Sequence, residues 1–292
     1  MYVEGHMKNT MRKISEKERE RIKEMTPMND IMMQAMFEGN NRLVEYILRL
    51  LTGIKDLRVI KMDIQKVFKA NLMYRSIRVD IYASDSKGRE YNLEVQNDPD
   101  DANGDRARYY MGMMDTHAVI QGDDIILPPT YVVFIMKKTN YKKKRPIYHF
   151  TYRDISTNLP LDTESHIIYF DPSCKARSKL RDLQHDFLCK NPKDMRTALM
   201  RKSASWCKET KKGVKKMCEI SRSIYEDGYS EGERRGKKQG IDIGKRQGID
   251  IGKRQTVLNF VRSNKISIRE GADELHISVS ELKNELNRQK RV

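Results

Sequence analysis

Arg78-Val79-Asp80-Ile81-Tyr82, then Asp85-Ser86-Lys87-Gly88, then Asn92-Leu93-Glu94-Val95-Gln96 is the stretch on which the reading of this chain turns. Both arms alternate apolar and polar residues at period two, the mark of strands with two unlike faces. Between them, Ser86-Lys87-Gly88 suits a three-residue hairpin loop whose glycine supplies the positive φ of a G1 bulge. That loop pairs Asp85 with Arg89, and counting back along both arms sets Asp80 opposite Glu94 and Arg78 opposite Gln96. Directly opposed side chains on one sheet face lie about 4.5–5.5 Å apart at Cβ. Two carboxylates that close repel each other unless a cation or a proton stands between them. Ile77, Val79 and Ile81, with Leu93 and Val95, are expected to fill the opposite face.

Two readings fit this acidic pair. A hard divalent cation such as Mg²⁺ prefers oxygen ligands, and it could polarise a phosphodiester or activate water against one. Alternatively, Asp80 and Glu94 are solvent-facing strand residues balanced by Arg78 and Arg89, an arrangement common on sheet surfaces.

Outward from the hairpin the chain reads as α/β. Ile31, Met32, Ala35, Met36, Leu43, Val44, Ile47, Leu48 and Leu51 recur at helical spacing up to Gly53, with Gly39 a candidate break. Three strands follow, over Leu57–Ala70, Ser76–Ser84 and Arg89–Asn97, then a helix from Asn103 to Gln121. Tyr131–Met136 is a continuous apolar run after Pro128-Pro129, as in a strand buried on both faces. Further strands are expected at Ile147–Tyr152 and His166–Phe170. A strand meander completed by a helical crossover is the architecture implied.

The run Phe37-Glu38-Gly39-Asn40, the strand around Asp80, Leu93-Glu94-Val95-Gln96, Arg106-Ala107-Arg108-Tyr109-Tyr110, Gly122 and the Pro128–Met136 strand together resemble the recombination-promoting nucleases and transposases of the PD-(D/E)XK superfamily. The resemblance covers about residues 28–140. It implies a restriction-endonuclease-like PD-(D/E)XK core that cuts DNA with Mg²⁺, Mn²⁺ substituting. It also implies that Asp80 and Glu94 are metal ligands joined by the Val95 carbonyl, with Gln96 as the third catalytic residue. Two positions depart from the superfamily pattern: Val79 stands in place of proline and Gln96 in place of lysine. A lysine would bring positive charge to the attacking water or the transition state, whereas glutamine brings only hydrogen bonds.

Other candidates are weaker. Arg106, Tyr109 and Tyr110 share a helix face, suited either to clamping DNA or, for the tyrosines, to the core. Lys142-Lys143-Lys144-Arg145 is a basic loop, read as a DNA-backbone contact or as a solvated charge run. Glu38 and Glu45 are candidate third acids only in the sense that they lie on the first helix. The histidines at 6, 117, 149, 166, 185 and 276 show no metal spacing and are read as structural or surface residues.

Charge points to a polyanionic partner. Lys and Arg number 57 against 41 Asp and Glu, a formal +16. Residues 201–255 hold 16 basic and 8 acidic residues, so half of the excess sits in this one segment. Within it, glycine recurs at every fourth position from Gly228 to Gly252, and Gly-Ile-Asp-Ile-Gly-Lys-Arg-Gln occurs at 240 and again at 248. This is either a helix that packs closely on a second copy of the chain or a basic linker. Three short amphipathic helices are expected after it, ending in a helix-turn-helix-like hairpin over Ile268–Leu286.

The four cysteines form no metal pattern and are read as reduced. No apolar run is long enough to span a bilayer, and the charged N-terminal segment lacks a secretory core, so a cytoplasmic location is expected, without membrane contact. The expected organisation is a charged lead-in (1–27), a nuclease-like domain (28–172), a basic helical region (173–225), the glycine repeat (226–255) and the helical hairpin (256–292). Two functions from different classes fit it: a metal-dependent DNA endonuclease of recombination or mobile elements, and a catalytically weak DNA-binding or assembly protein on the same fold.

Overall fold

The computed structural model describes residues 14–69, 75–119, 124–139, 141 and 144–288. The chain divides into two compact units, Met1–Arg222 and Ser223–Val292. In the first, the apolar repeat after Asn29 folds as two helices, α2 (Asp30–Phe37) and α3 (Asn41–Thr52), preceded by α1 (Glu16–Glu24). The break falls where expected: Gly39 has φ +68°, and the Asn40 side chain accepts the Leu43 N–H to start α3. Gly53, at φ +78°, ends α3 in the left-handed region that a side chain would disfavour.

Six strands form one mixed sheet: β1 (Val59–Phe68), β2 (Ile77–Asp85), β3 (Glu90–Gln96), β4 (Thr130–Met136), β5 (Ile147–Phe150) and β6 (Ser165–Phe170). Their spatial order is β1-β2-β3-β4-β6-β5. The first three form an antiparallel meander, β3, β4 and β6 run parallel, and β5 returns antiparallel at the edge. Helix α4 (Gly104–Ala118) makes the crossover from β3 to β4; Asn103 caps it by accepting the Arg106 N–H. Every residue of β4 is buried, as its unbroken apolar run demands.

Two layers of side chains sandwich the sheet. On one face α2 and α3, with α5 (Arg181–Leu188) and α6 (Ala198–Glu209), pack on Ile81, Leu93, Val133 and Phe170. On the other, Met111 and Met114 of α4 pack on Val132, Phe134 and Tyr169. The sheet core thus extends past the last strand, because α5 and α6 complete one of its two covers.

Helix α7 (Lys211–Arg262) is continuous, and its first turns place Val214, Met217 and Ile220 in the first unit's core. The glycine-punctuated segment is therefore helical. The first of the three expected terminal helices is the end of α7, not a separate element: Val257, Leu258 and Val261 belong to it. In the second unit they meet α8 (Ile268–Glu274) and α9 (Val279–Arg288), which carry Ala272, Leu275, Leu282 and Leu286 to a small core. Ser267 opens α8 with a capping box, and Ser278 accepts the Glu281 N–H at the start of α9.

Gly271 is the close-approach point of this hairpin. A Cβ there would lie 2.7 Å from a Val261 methyl and 3.2 Å from Leu282. Gly271→Val is expected to cost about 1–3 kcal/mol by overpacking. Hydrogen exchange is the measurement: protection should fall in α8 and α9 and remain in β4. Unchanged protection in α8 would mean that the contact relaxes without cost.

Candidate active site

The hairpin has the register its loop dictates. Asp85 N–H donates to the Arg89 carbonyl at 3.1 Å, Gly88 has φ +77°, and pairs run from Ser84↔Glu90 to Ile81↔Leu93. One residue further the main-chain ladder gives way to side chains. Asp80 N–H donates to Glu94 Oε1 at 3.0 Å, and Val95 N–H donates to Asp80 Oδ2 at 3.0 Å. Each carboxylate thus takes a main-chain donor from the opposite strand.

Strand phase changes at the same place. Ile81 and Ala83 pack on the α2–α3 side, yet Ile77 and Val79 pack on the α4 side. A regular strand keeps these odd-numbered residues on one face, so alternation slips at Asp80. The expectation that Ile77 and Val79 share a face with Ile81, Leu93 and Val95 is corrected by this slip. Its partner irregularity is in β1. Gln65, between the pairs Ile64↔Ile81 and Lys66↔Val79, has φ +54° and donates Nε2 to Asp80 Oδ1 at 3.2 Å.

Burial dominates the electrostatics. Glu94 is 1% exposed, and loss of solvent raises its pKa, followed by the charge of Asp80. Asp80 is raised chiefly by burial and less by the charge of Asp30 at the start of α2. The Val95 and Asp80 N–H donors and the Arg106 guanidinium oppose these shifts without cancelling them. The surface salt-bridge reading fails for Arg89, which binds Asp85 at 2.6 Å and Asp56 at 3.2 Å instead.

Around the pair, Gln96 Nε2 donates to Glu94 Oε2 at 3.2 Å. Asn92, two residues before Glu94 on the same face, is fully buried, and neither atom of its amide has a hydrogen-bond partner of normal geometry. It is nonetheless close enough to favour the Glu94 carboxylate, so it borders the pair without closing on it. Arg106 donates Nε to the Tyr110 hydroxyl at 3.0 Å and lies 3.7 Å from Asp101. Tyr109, on the same helix, donates its hydroxyl to the Arg75 carbonyl, just before the start of β2.

Asp30 and Asn92 are the neighbours that sequence reasoning missed. Asp30 follows an N-cap asparagine and looks like ordinary helix-end chemistry, whereas Asn92 shows only as a polar residue in phase with Glu94. Glu38, which lies in the break between α2 and α3, and Glu45 of α3 are engaged elsewhere. Glu38 pairs with Lys216 at 2.9 Å, and Glu45 accepts the Val59 N–H and pairs with Arg49. Lys142 and Lys143 lie outside the described residues. Lys144 and Arg145 precede β5, the far edge of the sheet, and are not brought to the carboxylates. His149 and His166, far apart in sequence, meet across β5 and β6 at 2.9 Å, a pairing that their spacing hid.

With this geometry in view, the sequence pattern of the PD-(D/E)XK nuclease family transposases matches residues 27–190. The chain belongs to that family. No curated protein and no solved structure matches it. The six-stranded sheet with its helical covers is thus a restriction-endonuclease-like PD-(D/E)XK core, and α7 to α9 form its helical C-terminal tail.

Proposed function

We propose that this PD-(D/E)XK family member is a divalent-cation-dependent DNA endonuclease acting in recombination or the movement of mobile elements, within the cytoplasm. The observation that supports it most is the buried pair Asp80 and Glu94, opposed across a hairpin whose main-chain ladder ends one pair before them. Hard oxygen donors, pKa values raised by burial, and an orphaned buried amide at Asn92 fit a cation of Mg²⁺ type, with Mn²⁺ substituting. Among the described residues no third His, Cys, Asp or Glu completes a cluster, so a main-chain oxygen and waters would make up the shell. Val95 suits that role. At both ends of β3, main-chain bonds to the β4 side involve even-numbered residues: Glu90 N–H donates to Pro129 and the Gln96 carbonyl accepts from Lys137. By alternation, Val95 turns its main chain to β2 and Asp80.

When bound, the cation supplies a Lewis acid and an acidified water for phosphodiester hydrolysis. Asp80 and Glu94 would hold it, and Gln96, hydrogen-bonded to Glu94, would orient the attacking water. Arg106 favours the ionised form of both carboxylates and stands where its charge can face a phosphate oxygen. It takes the electrostatic part that glutamine at 96 cannot. Tyr110 fixes Arg106 through its hydroxyl, so Tyr110 is a positioning residue. Supercoiled plasmid incubated with Mg²⁺, with Mn²⁺ and with EDTA tests the reading: nicked or linear product with either cation alone is expected. DNA that is bound but never cut would overturn it. That result would favour a catalytically weak DNA-binding or assembly protein, the reading that Gln96 in place of lysine keeps open.

DNA affinity we assign mainly to α7. Some of its basic residues are already occupied: Lys253 pairs with Glu274, Arg254 with Glu285, and Arg234 and Arg235 with Glu231. Lys237, Lys238, Lys245 and Arg246 form no ion pair among the described residues and are exposed. Replacing these four by alanine is expected to weaken binding and to flatten its salt dependence, by up to about 0.9 in log–log slope for each phosphate that is no longer neutralised. An unchanged slope would move the footprint to the core, where Tyr109, Lys144 and Arg145 are the candidates.

The same helix is our candidate for self-association. A Cβ at any glycine from Gly228 to Gly252 would meet nothing within 4 Å, so the stripe is open to a second copy. Light scattering on a variant with Gly236, Gly240 and Gly244 all replaced by leucine should report a smaller oligomer than the wild type. Equal masses would leave the stripe without that role.

A further inference from the structure

A cavity of about 390 Å³ opens at the ends of β3 and β4, a few residues along the chain from Glu94, and neither carboxylate lines it. Its residues are sequence neighbours of the site: Asn29 precedes Asp30, Asn97 follows Gln96, and Lys137 follows Met136, the β4 partner of Gln96. Lys137 N–H donates to the Gln96 carbonyl at 3.1 Å, which fixes this wall to the end of β3. The opposite wall comes from the α1–α2 connection and the end of α5, with Met25 and Leu188 supplying apolar surface over the buried Met28. Lys208 pins that wall by donating to the carbonyls of Met25 and Lys190, both at 2.5 Å. Asn97 ties the two walls together through its amide to the Met28 carbonyl at 2.9 Å.

Charge in the cavity is one-sided. Arg21 and Lys137 reach it and form no hydrogen bond or ion pair through their side chains among the described residues. The only acid in the lining, Glu24, is held by Lys190 at 2.6 Å. A cleft of mixed lining, with apolar side chains on one wall and two unpaired cations, suits a group that is flat and apolar at one end and anionic at the other. The volume falls in the range of small-molecule pockets, about 300–1,000 Å³.

We propose that this cavity receives one unstacked nucleotide of the DNA strand next to the scissile phosphate, its base against Met25 and Leu188, with Met28 directly beneath, and its phosphate between Arg21 and Lys137. The proposal rests on the nuclease reading for what lies next door, but its binding half does not need catalysis. It predicts a substrate preference: a nucleotide already unpaired enters without the cost of being drawn from the stack. DNA with an unpaired nucleotide near the cut is therefore preferred over fully paired duplex.

Two measurements on the full chain test it. First, the protein with ¹³C-methyl methionine is titrated in EDTA with deoxynucleoside 5′-monophosphates, and separately with inorganic phosphate. Shifts of the Met25 and Met28 methyls with nucleotide, absent with phosphate alone and lost in Arg21→Ala/Lys137→Ala, are expected. No shift with nucleotide, or the same shift with inorganic phosphate, would overturn the nucleotide assignment. Second, cleavage with Mg²⁺ or Mn²⁺ is compared on paired duplex and on the same duplex with one unpaired nucleotide. A preference of about tenfold or more for the unpaired substrate, collapsing towards one in Arg21→Glu/Lys137→Glu, is expected. Equal cleavage of both substrates by the wild type would reject the proposal and leave the nuclease reading intact. Absence of any cleavage would reject the nuclease reading, and the nucleotide titration would still decide the cavity.

Discussion

Asp80→Asn and Glu94→Gln are each expected to lower metal-dependent cleavage by about 10²–10³-fold while DNA binding at low salt persists. That loss is the scale seen when a principal electrostatic stabiliser of a transition state is removed. The amide variants are better than alanine because of what the carboxylates do in the fold. Asp80 accepts the Val95 N–H and Glu94 accepts the Asp80 N–H. Alanine would orphan a buried N–H at about 1–3 kcal/mol, so lost activity could reflect a loosened hairpin. Asparagine and glutamine keep a carbonyl oxygen for those donors and remove the charge that a cation needs; the second oxygen becomes an NH2, which Gln65 or Gln96 meets by turning its own amide oxygen to it. Gln96→Lys separates two roles for the glutamine. If Gln96 only orients water, the lysine variant should cut as fast or faster; if the site depends on its bond to Glu94, the variant should slow. Cleavage surviving in both amide variants, measured on supercoiled plasmid, would reject the assignment of this pair.

The hairpin is legible in the sequence because a short loop with a bulge glycine leaves one register, and register alone opposes Asp80 to Glu94. The helix break at Gly39 and the buried β4 are legible for the same reason: each is a local rule with a local signature. What is not legible depends on contacts distant in sequence. The slip at Asp80 needs Gln65 on the neighbouring strand, at a positive φ that no residue type there announces. Asp30 nears Asp80 only once α2 is laid across the sheet, and His149 meets His166 only through the β5–β6 pairing. The tail misleads in the opposite direction. Glycine every fourth residue argues against a helix by propensity, yet α7 is continuous, and its end reads as a separate helix only because its apolar residues begin again at Val257.

The second large effect is on stability and follows from the same burial. Without a cation, Asp80 and Glu94 have pKa values raised above those of an unfolded chain, chiefly because solvent is excluded, and further because Asp80 charges the surroundings of Glu94 and Asp30 those of Asp80. A group of this kind binds its proton more tightly in the folded state. Below the ordinary carboxylate pKa both states are protonated and the pair costs nothing. As pH rises through that value towards the raised one, the unfolded chain releases its protons first, so the folded state loses stability. The cost is full once pH exceeds the folded pKa. Glu94→Gln removes one of the two charges and keeps an acceptor for the Asp80 N–H. The variant should therefore be more stable than the wild type in EDTA at pH 8, by an amount of the order of 1–3 kcal/mol, and nearly equal to it at pH 4.5. Mg²⁺ should reverse the order at pH 8, because a ligand that binds only the folded state stabilises it, and the wild type has both carboxylates to offer. Urea unfolding at the two pH values, with EDTA and with Mg²⁺, gives the four numbers required. A variant no more stable than the wild type at pH 8 in EDTA would mean that the folded state does not raise the pair's proton affinity, the Arg106 guanidinium and the main-chain N–H donors offsetting the loss of solvent. A cation would then have no uncompensated charge to relieve.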